Sequence, residues 1–476
     1  MGAMTSTCLP ETVGSQAAVG ARALQAMDGM LYLPGELWVF HVVPQISSQC
    51  AQHAPAGRHR RPATGIVQVR QVADDAKDAR RHCPLRPGRR PVPHRARRRR
   101  RRRDCKARPA RGCSALKAAL PDSVFFPRDA VYAAEAAAFW SNTQLMNPGC
   151  SVRGGGHMGI RGANNIDGGG MLIVMPGLAT LELSPNGKRV DLGPALKWGA
   201  VYKYLAQHNL TAPGGRLSPV GVPGLLLGGG VSFIGNQVGW AADNVVEYEV
   251  VLASGDVVKV NKDASPDLFW ALKGSSANFG IVTKFTVNTF PFTTVYAGTY
   301  TVSAAHGPAF LDAIANYTSG AIDPLSHMVP MAVPAAPGVT VYSAILFYDS
   351  PTESAPECFR EFLALPAVST TMGFKTVADF TVETGKLVVD KINDVFIAGT
   401  TVGHDYESQR RGIEITNRPI GAVWQEASER QNPAGFQDGY TGYGAANKQK
   451  LLDVSRKYDS ERVFQKLWPG GFKIGA

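Results

Sequence analysis

The sequence predicts an α+β protein, and three observations carry that prediction. Helix-period and strand-period segments interleave over residues 113–292. From 293 to 425 the pattern changes to strand-prone runs with two helices, as expected for an antiparallel sheet with helices on a face. Many of the 51 glycines gather in clusters at the ends of these segments instead of scattering, which marks repeated tight turns.

Residues 1–112 have none of this texture. Apolar patches such as Met30–Val43 are short and isolated, and the remainder is rich in Arg, Pro and Ala. The formal net charge of +12 is concentrated here: residues 51–112 hold 21 Lys and Arg against 4 Asp and Glu. The rest of the chain is mildly acidic. Arg97–Arg103 is an unbroken arginine run that repels itself and resists burial. A nucleic-acid arm would normally interleave aromatic residues or adjoin a binding module, and neither is present. A disordered extension is therefore the favoured reading of 1–112.

The elements follow in order from Cys113. Ser114–Leu120 has helical spacing, Asp122–Pro127 is a short β-prone stretch, and Ala130–Asn142 is an alanine-rich amphipathic helix. Ile173–Met175 is a short apolar run. Pro194–His208 places Leu196, Ala200, Val201, Tyr204 and Leu205 on one helical face, with Pro194 suited to the first turn. Val245–Ala253 and Val257–Val260 flank Ser254-Gly-Asp256, a hairpin signal. Ser265-Pro-Asp267 caps a helix over Leu268–Lys273 that Gly274 ends, and Lys284–Thr289 returns as a strand. Val295–Val302, Val339–Tyr348 and Phe374–Thr381 read as strands, with helices near Ala309–Asn316 and Glu357–Leu365. Ala445–Phe464 is helical.

Arg153-Gly154-Gly155-Gly156-His157 is the most informative pentapeptide. Consecutive glycines accept positive φ and expose successive backbone N–H groups, forming an anion-binding nest suited to a pyrophosphate. A histidine on such a loop is a nucleophile beside whatever the loop cradles. Taken alone, a glycine triplet marks a tight turn and a lone histidine an ordinary satisfied side chain. Further segments follow in order: Gly168-Gly-Gly170, Pro213-Gly-Gly-Arg-Leu-Ser-Pro-Val-Gly-Val-Pro-Gly224, Gly228-Gly-Gly230, Gly239-Trp-Ala-Ala-Asp-Asn244, Asp267-Leu-Phe-Trp270 and Asn278-Phe-Gly-Ile-Val282.

In this order and spacing the segments resemble the FAD-binding domain of the p-cresol methylhydroxylase (PCMH) type, in the vanillyl-alcohol oxidase superfamily. The nearest branch is the berberine-bridge-enzyme-like oxidases, especially fungal ones. The resemblance spans about 113–292 and returns at Tyr443–Phe472. It implies a PCMH-type FAD domain of two α+β subdomains at 113–292, and a substrate domain at 293–425 whose antiparallel sheet is covered by helices. A C-terminal segment, 426–476, folds back on the FAD domain. It also implies roles: Arg153 and Gly154, Gly155 and Gly156 around the pyrophosphate, and His157 bonded to the 8α-methyl of FAD. Ser218, Gly221, Gly224 and Gly228 form a second flavin-facing loop, and Ile281 and Val282 contact the flavin or its phosphate tail. Relatives with a second attachment use a cysteine where Leu217 stands here, so a single attachment is expected. Cys113 and Cys150 match a family pair that often forms a disulfide. Tyr443-Gly444, Asn447, Lys457-Tyr-Asp459 and Phe464 match the returning C-terminal segment.

Three departures stand out. The family cysteine matched by Cys150 precedes a strand, a helix and a strand before the glycine loop, whereas here Ser151-Val152 follows at once. That absent βα unit forms part of the wall near adenine and pyrophosphate. Asp438-Gly-Tyr440 stands where a Tyr-x-Asn flavin contact is expected. Ser460 replaces a usual proline.

The leading functional expectation is an FAD-linked oxidase acting on an alcohol, sugar or secondary metabolite, with a small-molecule substrate and O2 as partners. A degenerate homologue that no longer retains FAD is the alternative, and a basic-arm nucleic-acid-binding protein the second. No catalytic base is assigned. Tyr342 and Tyr348 alternate on a strand that could face the flavin, with packing within the sheet as the favoured reading. His208, His306, His327 and His404 are scattered and make no metal cluster, and no apolar run is long enough to span a membrane. The seven cysteines cannot all pair with one another and form no CxxC site. The sequons at Asn209 and Asn316 suggest the secretory pathway, although the N-terminus has no signal-peptide pattern.

Overall fold

The computed structural model describes residues 38–41, 116–138, 149–158, 163–165, 170–319, 322–388 and 440–474, apart from 127, 293, 337–338, 351–354, 441–442 and 469. Three main sheets organise them.

The first sheet has the order β2-β1-β4-β3. It comprises β1 (Trp38–His41), β2 (Val124–Phe125), β3 (Gly149–Arg153) and β4 (Gly170–Val174). β3 and β4 run parallel, with Val152 opposite Ile173 and Arg153 opposite Val174. Cys150 thus lies inside the strand that delivers the glycine loop. The other neighbour of β4 is β1, also parallel, and β1 in turn holds β2 antiparallel. One strand of this sheet therefore comes from the segment whose composition predicted only an extension. Helix α1 (Ala130–Ala137) connects β2 toward β3, and its Tyr132 and Ala136 pack on Leu172 and Val174.

The second sheet, β5-β6-β10-β8-β9, is antiparallel throughout. It holds β5 (Leu181–Leu183), β6 (Arg189–Leu192), β8 (Val245–Val251), β9 (Val257–Asn261) and β10 (Ile281–Asn288), while β7 (Leu210–Thr211) pairs with β11 (Phe290–Pro291). The β8–β9 hairpin turns where expected, with Gly255 at φ +85° and its N–H on the Leu252 carbonyl. Helix α2 (Trp198–Ala206) begins four residues beyond Pro194, because Gly193–Leu196 forms a turn bonded back to Leu178 and Thr180. Its buried face is therefore Trp198, Val201, Tyr202 and Leu205. A Cβ on Gly214 would lie 2.1 Å from the Trp198 ring, so the indole explains why glycine stands there. Helix α3 (Val222–Leu227) starts at Gly221, and helix α4 (Pro266–Leu272) is followed by Gly274 at φ +84°. Ser265 caps α4 from the left-handed region without a side-chain hydrogen bond.

The third sheet, β13-β14-β12-β15 with β16 beside β12, is antiparallel. Its strands are β12 (Val295–Val302), β13 (Ser326–Ala336), β14 (Val339–Tyr348), β15 (Ala367–Thr370) and β16 (Gly373–Lys375). Along β14, Ala344 and Leu346 pack under helix α5 (Gly307–Ser319), whereas Ile345 and Phe347 join the large core shared with the second sheet. Phe374–Thr381, expected as one strand, is β16 followed by helix α6 (Val377–Gly385). The Thr376 hydroxyl caps that helix by accepting from the Asp379 N–H at 3.1 Å, which ends the strand. Helices α7 (Ala445–Tyr458) and α8 (Val463–Lys466) return to the second sheet. No described helix is long and apolar enough to cross a membrane.

Candidate functional site

β3 ends in Arg153, and the glycine loop begins there. Arg153 is 4% exposed, and its guanidinium pairs with the Glu135 carboxylate and donates to the Glu135 carbonyl at 2.8 Å. Burial lowers the Arg153 pKa while Glu135 opposes that shift. The side chain thus clamps the loop onto α1 and points away from the space the loop borders.

Two glycine-rich segments cross directly below. A Cβ on Gly154 would lie 2.2 Å from Pro223 Cγ, and one on Gly155 2.2 Å from Gly221 Cα. Gly156 takes φ +72°, which only glycine adopts without strain. Together these contacts fix the loop against the start of α3.

The crossing borders a cleft of ≈ 270 Å³. Gly154, Gly155, Gly156 and His157 line it from the loop, and Gly221 and Gly224 line it from the start of α3. Ile281 and Val282 contribute from the start of β10. Eight of the eleven expected site residues therefore meet in one place. Arg153, Ser218 and Gly228 stand behind it. The Ser218 N–H donates to the Thr381 carbonyl at 3.0 Å and its carbonyl accepts from the Gly199 N–H at 3.1 Å, so Ser218 seams the loop to α6 and α2. Gly228 closes α3 by donating to the Gly224 carbonyl at 3.1 Å.

The cleft also contains residues that no motif indicated. Asn164 lines it, and the neighbouring Asn165 is fully buried. Asn164 Oδ1 and both side-chain polar atoms of Asn165 have no hydrogen-bond partner among the described residues. Buried amides without partners are costly. Trp468 closes the far side and donates from Nε1 to the Ala163 carbonyl at 2.8 Å, tying the C-terminus to this turn. Only the pairing of asparagines next to the loop could have hinted at them.

Behind Trp468 the C-terminal segment is firmly docked. Asn278 donates to Tyr440 Oη at 2.7 Å and accepts from Gln465 at 2.9 Å, and Tyr440 Oη donates to the Ser275 carbonyl at 2.8 Å. Lys457 and Tyr458 both donate to Asp267, at 2.6 and 2.9 Å. Tyr440 thus serves as an anchor at the position where the resemblance leads one to expect a Tyr-x-Asn flavin contact.

Tyr342 and Tyr348 do not face the cleft. Tyr342 packs on Phe310 of α5, and Tyr348 donates to Asp323 at 2.9 Å, both on the helix-covered side of the third sheet. Among the described residues no His, Cys, Asp and Glu cluster could hold a metal. Cys358 is a free thiol. Cys113 and the Arg97–Arg103 run lie outside the described residues, as does the Cys150 side chain, so the expected disulfide falls outside them too.

The cleft thus joins the loop that leaves β3, the start of α3, the start of β10 and the C-terminal Trp468. The chain belongs to the PCMH-type, berberine-bridge-enzyme-like family of FAD-linked oxidoreductases. A family model described as an FAD binding domain matches residues 121–261. The FAD-dependent monooxygenase sdcF of Emericella nidulans is 30% identical, with 76% of this chain and 98% of that protein covered. The FAD-dependent monooxygenase prx3 of Penicillium roqueforti is 34% identical over 62% of this chain, and the match spans 61% of prx3's own length. In structure, the chain resembles 6-hydroxy-D-nicotine oxidase from Arthrobacter nicotinovorans, with a TM-score of 0.57 and 18% identity over 71% of this chain and 95% of that one. That likeness concerns the fold.

Proposed function

We propose that this chain is an FAD-dependent oxidase of an alcohol, a sugar or a secondary metabolite, with FAD held in the cleft beside His157. The observation that carries this reading is the convergence of the glycine loop, the α3 loop and the start of β10 on one cleft, which Asn164 lines with a side-chain carbonyl that has no partner among the described residues. The residues present fit the cofactor. Gly154 and Gly155 leave no room for a side chain and line the cleft with backbone, and Asn164 Oδ1 offers an acceptor to a polar ligand edge. When bound, FAD supplies a two-electron acceptor for substrate hydride at N5, with O2 as final oxidant.

The roles of the chain's own residues follow from their places. Backbone N–H groups of Gly154–Gly156 receive the pyrophosphate. His157 is the nucleophile positioned for a single covalent tether, since Leu217 replaces the cysteine that a second would need. Gly221, Gly224, Ile281 and Val282 shape the walls. Arg153, Ser218 and Gly228 hold the loops in register and do not themselves touch the cofactor. With Tyr342 and Tyr348 on the opposite face, the proton acceptor for the substrate hydroxyl is to be sought elsewhere.

The sequons keep a secretory route within the proposal: Asn209 is exposed in the turn after α2, and Asn316 lies on α5. A glycosidase-sensitive mobility shift of the native protein would test it.

A second reading, a homologue that no longer retains FAD, is favoured by the βα unit missing after Cys150. Incubating the purified protein with FAD, desalting it, and recording the visible spectrum separates the two. Retained flavin bands that bleach anaerobically with substrate and return with O2 support the oxidase. A colourless protein overturns it.

A further inference from the structure

Ser218 marks the point where a helix from the third sheet reaches behind the cofactor cleft. Helix α6 follows β16, and its Phe380 ring packs 5.0 Å from Phe233 and 6.2 Å from Phe347 of β14. The second half of α6 grips the segment 216–218. The Thr384 hydroxyl donates to the Arg216 carbonyl at 2.7 Å, and the Ser218 N–H donates to the Thr381 carbonyl at 3.0 Å. Both threonines are fully buried. The hydroxyl has one proton and three acceptors within reach. The Arg216 carbonyl is the nearest; the carbonyls of Phe380 and Thr381, at 3.0 and 3.2 Å, belong to the helix itself. A third hold comes from β13, where His327 Nε2 accepts from Arg216 Nη1 at 3.1 Å, since a guanidinium can only donate.

The gripped segment runs straight into the cleft, which Val220 and Gly221 line. On its other side α2 holds it: the Gly199 N–H donates to the Ser218 carbonyl at 3.1 Å and the Trp198 N–H to the Val220 carbonyl at 2.9 Å. Ser218 is thus wedged between two helices, and each presents a glycine to it. A Cβ on Gly199 would lie 2.7 Å from Ser218 Cβ, and one on Gly385 2.2 Å from Ser218 Oγ. No residue of α6 lines the cleft. Its contacts reach back 168 residues to a loop that borders it. A wall that must hold a ligand in one geometry needs such support from behind.

We infer that the last turn of α6 is a positioning element for the cofactor. Thr384 and Gly385, acting through Arg216 and Ser218, set where Val220 and Gly221 stand, so the third sheet completes the FAD site without touching it. As a role toward FAD this rests on the oxidase reading; as control of the loop it does not.

Two readouts on the full-length protein test it. Amide hydrogen exchange compares residues 217–222 with the β8–β9 hairpin, and FAD is titrated in a His157→Ala background so that binding stays reversible. Thr384→Val should speed exchange in 217–222 and weaken FAD binding, each by about fivefold, the size expected of one lost hydrogen bond, with the hairpin unchanged. Thr384→Ser, which keeps the hydroxyl, should match the parent in both. Gly385→Ala should act like Thr384→Val, and adding Ser218→Ala should restore the parent values, because the next contact of the new methyl is Pro219 Cδ at 3.1 Å. Should Thr384→Val fail to fold, Gly385→Ala and its rescue decide. Parent-like exchange in 217–222, a rise shared equally by the hairpin, a local rise with FAD affinity unaltered, or no rescue by Ser218→Ala would overturn the inference. A parent that takes no FAD would remove the oxidase reading, and the exchange arm alone would then decide whether α6 positions the loop.

Discussion

Gly155 and Gly221 meet backbone to backbone where the two glycine-rich loops cross, and a Cβ on either would lie within 2.4 Å of the other's Cα. The crossing sets the spacing of the cleft walls. Gly155→Ala should therefore force the loops apart, destabilise the protein by about 1–3 kcal/mol or more, and lower flavin content. Gly224 lies in α3 with nothing within 4 Å of its Cβ position. Gly224→Ala should leave stability unchanged or raise it by up to about 1 kcal/mol. Thermal melts of the flavin-free proteins measure both.

The Arg153–Glu135 clamp gives a second prediction. Glu135→Ala leaves a guanidinium that is 4% exposed without its counter-charge and should cost about 3 kcal/mol. Replacing both partners, Arg153→Met with Glu135→Leu, should recover most of that loss. Denaturant titrations of the two single variants and the double variant would show the coupling.

Tyr440 anchors the C-terminal return through Asn278 and Ser275. Tyr440→Phe removes only the hydroxyl, so Asn278 and the Ser275 carbonyl each lose one bond while keeping the 2.7 Å bond between them. A loss of about 1–3 kcal/mol is expected, together with faster proteolysis ahead of α7. Unchanged protease resistance would mean that α7 and α8 hold without this network.

His327 gives the protein a pH dependence of known sign. Its folded pKa of about 4 lies below the ordinary 6.5, so the unfolded chain binds more protons between those values. Stability should rise with pH across that window and fall as acid approaches pH 4, by at most about 3 kcal/mol from this group. His327→Gln should flatten the stability profile between pH 6.5 and 4 relative to the parent.

Much of the candidate site was legible because its backbone requirements are local. The Arg153–His157 loop, the Gly221–Gly228 segment and the Ile281-Val282 pair each carry a backbone requirement within a few residues, and eight of the eleven expected residues line one cleft. What escaped depends on distant partners. Strand Trp38–His41 reads as an isolated apolar patch because the strands it joins, β2 and β4, lie more than 80 residues away in sequence. β13 carries Pro330 and Pro334, which demote a strand in sequence yet are tolerated at a sheet edge. Phe374–Thr381 alternates like one strand, but the Thr376 cap divides it. Trp468 reached the cleft only through the fold, from the far end of the chain.

The most direct test of the central claim is an absorbance spectrum of the purified, FAD-loaded protein before and after acid precipitation, with His157→Ala alongside. The account predicts flavin bands that stay with the parent's pellet and pass to the supernatant in the variant. Flavin in the parent's supernatant would contradict the tether, and no flavin after incubation with FAD would contradict the oxidase itself.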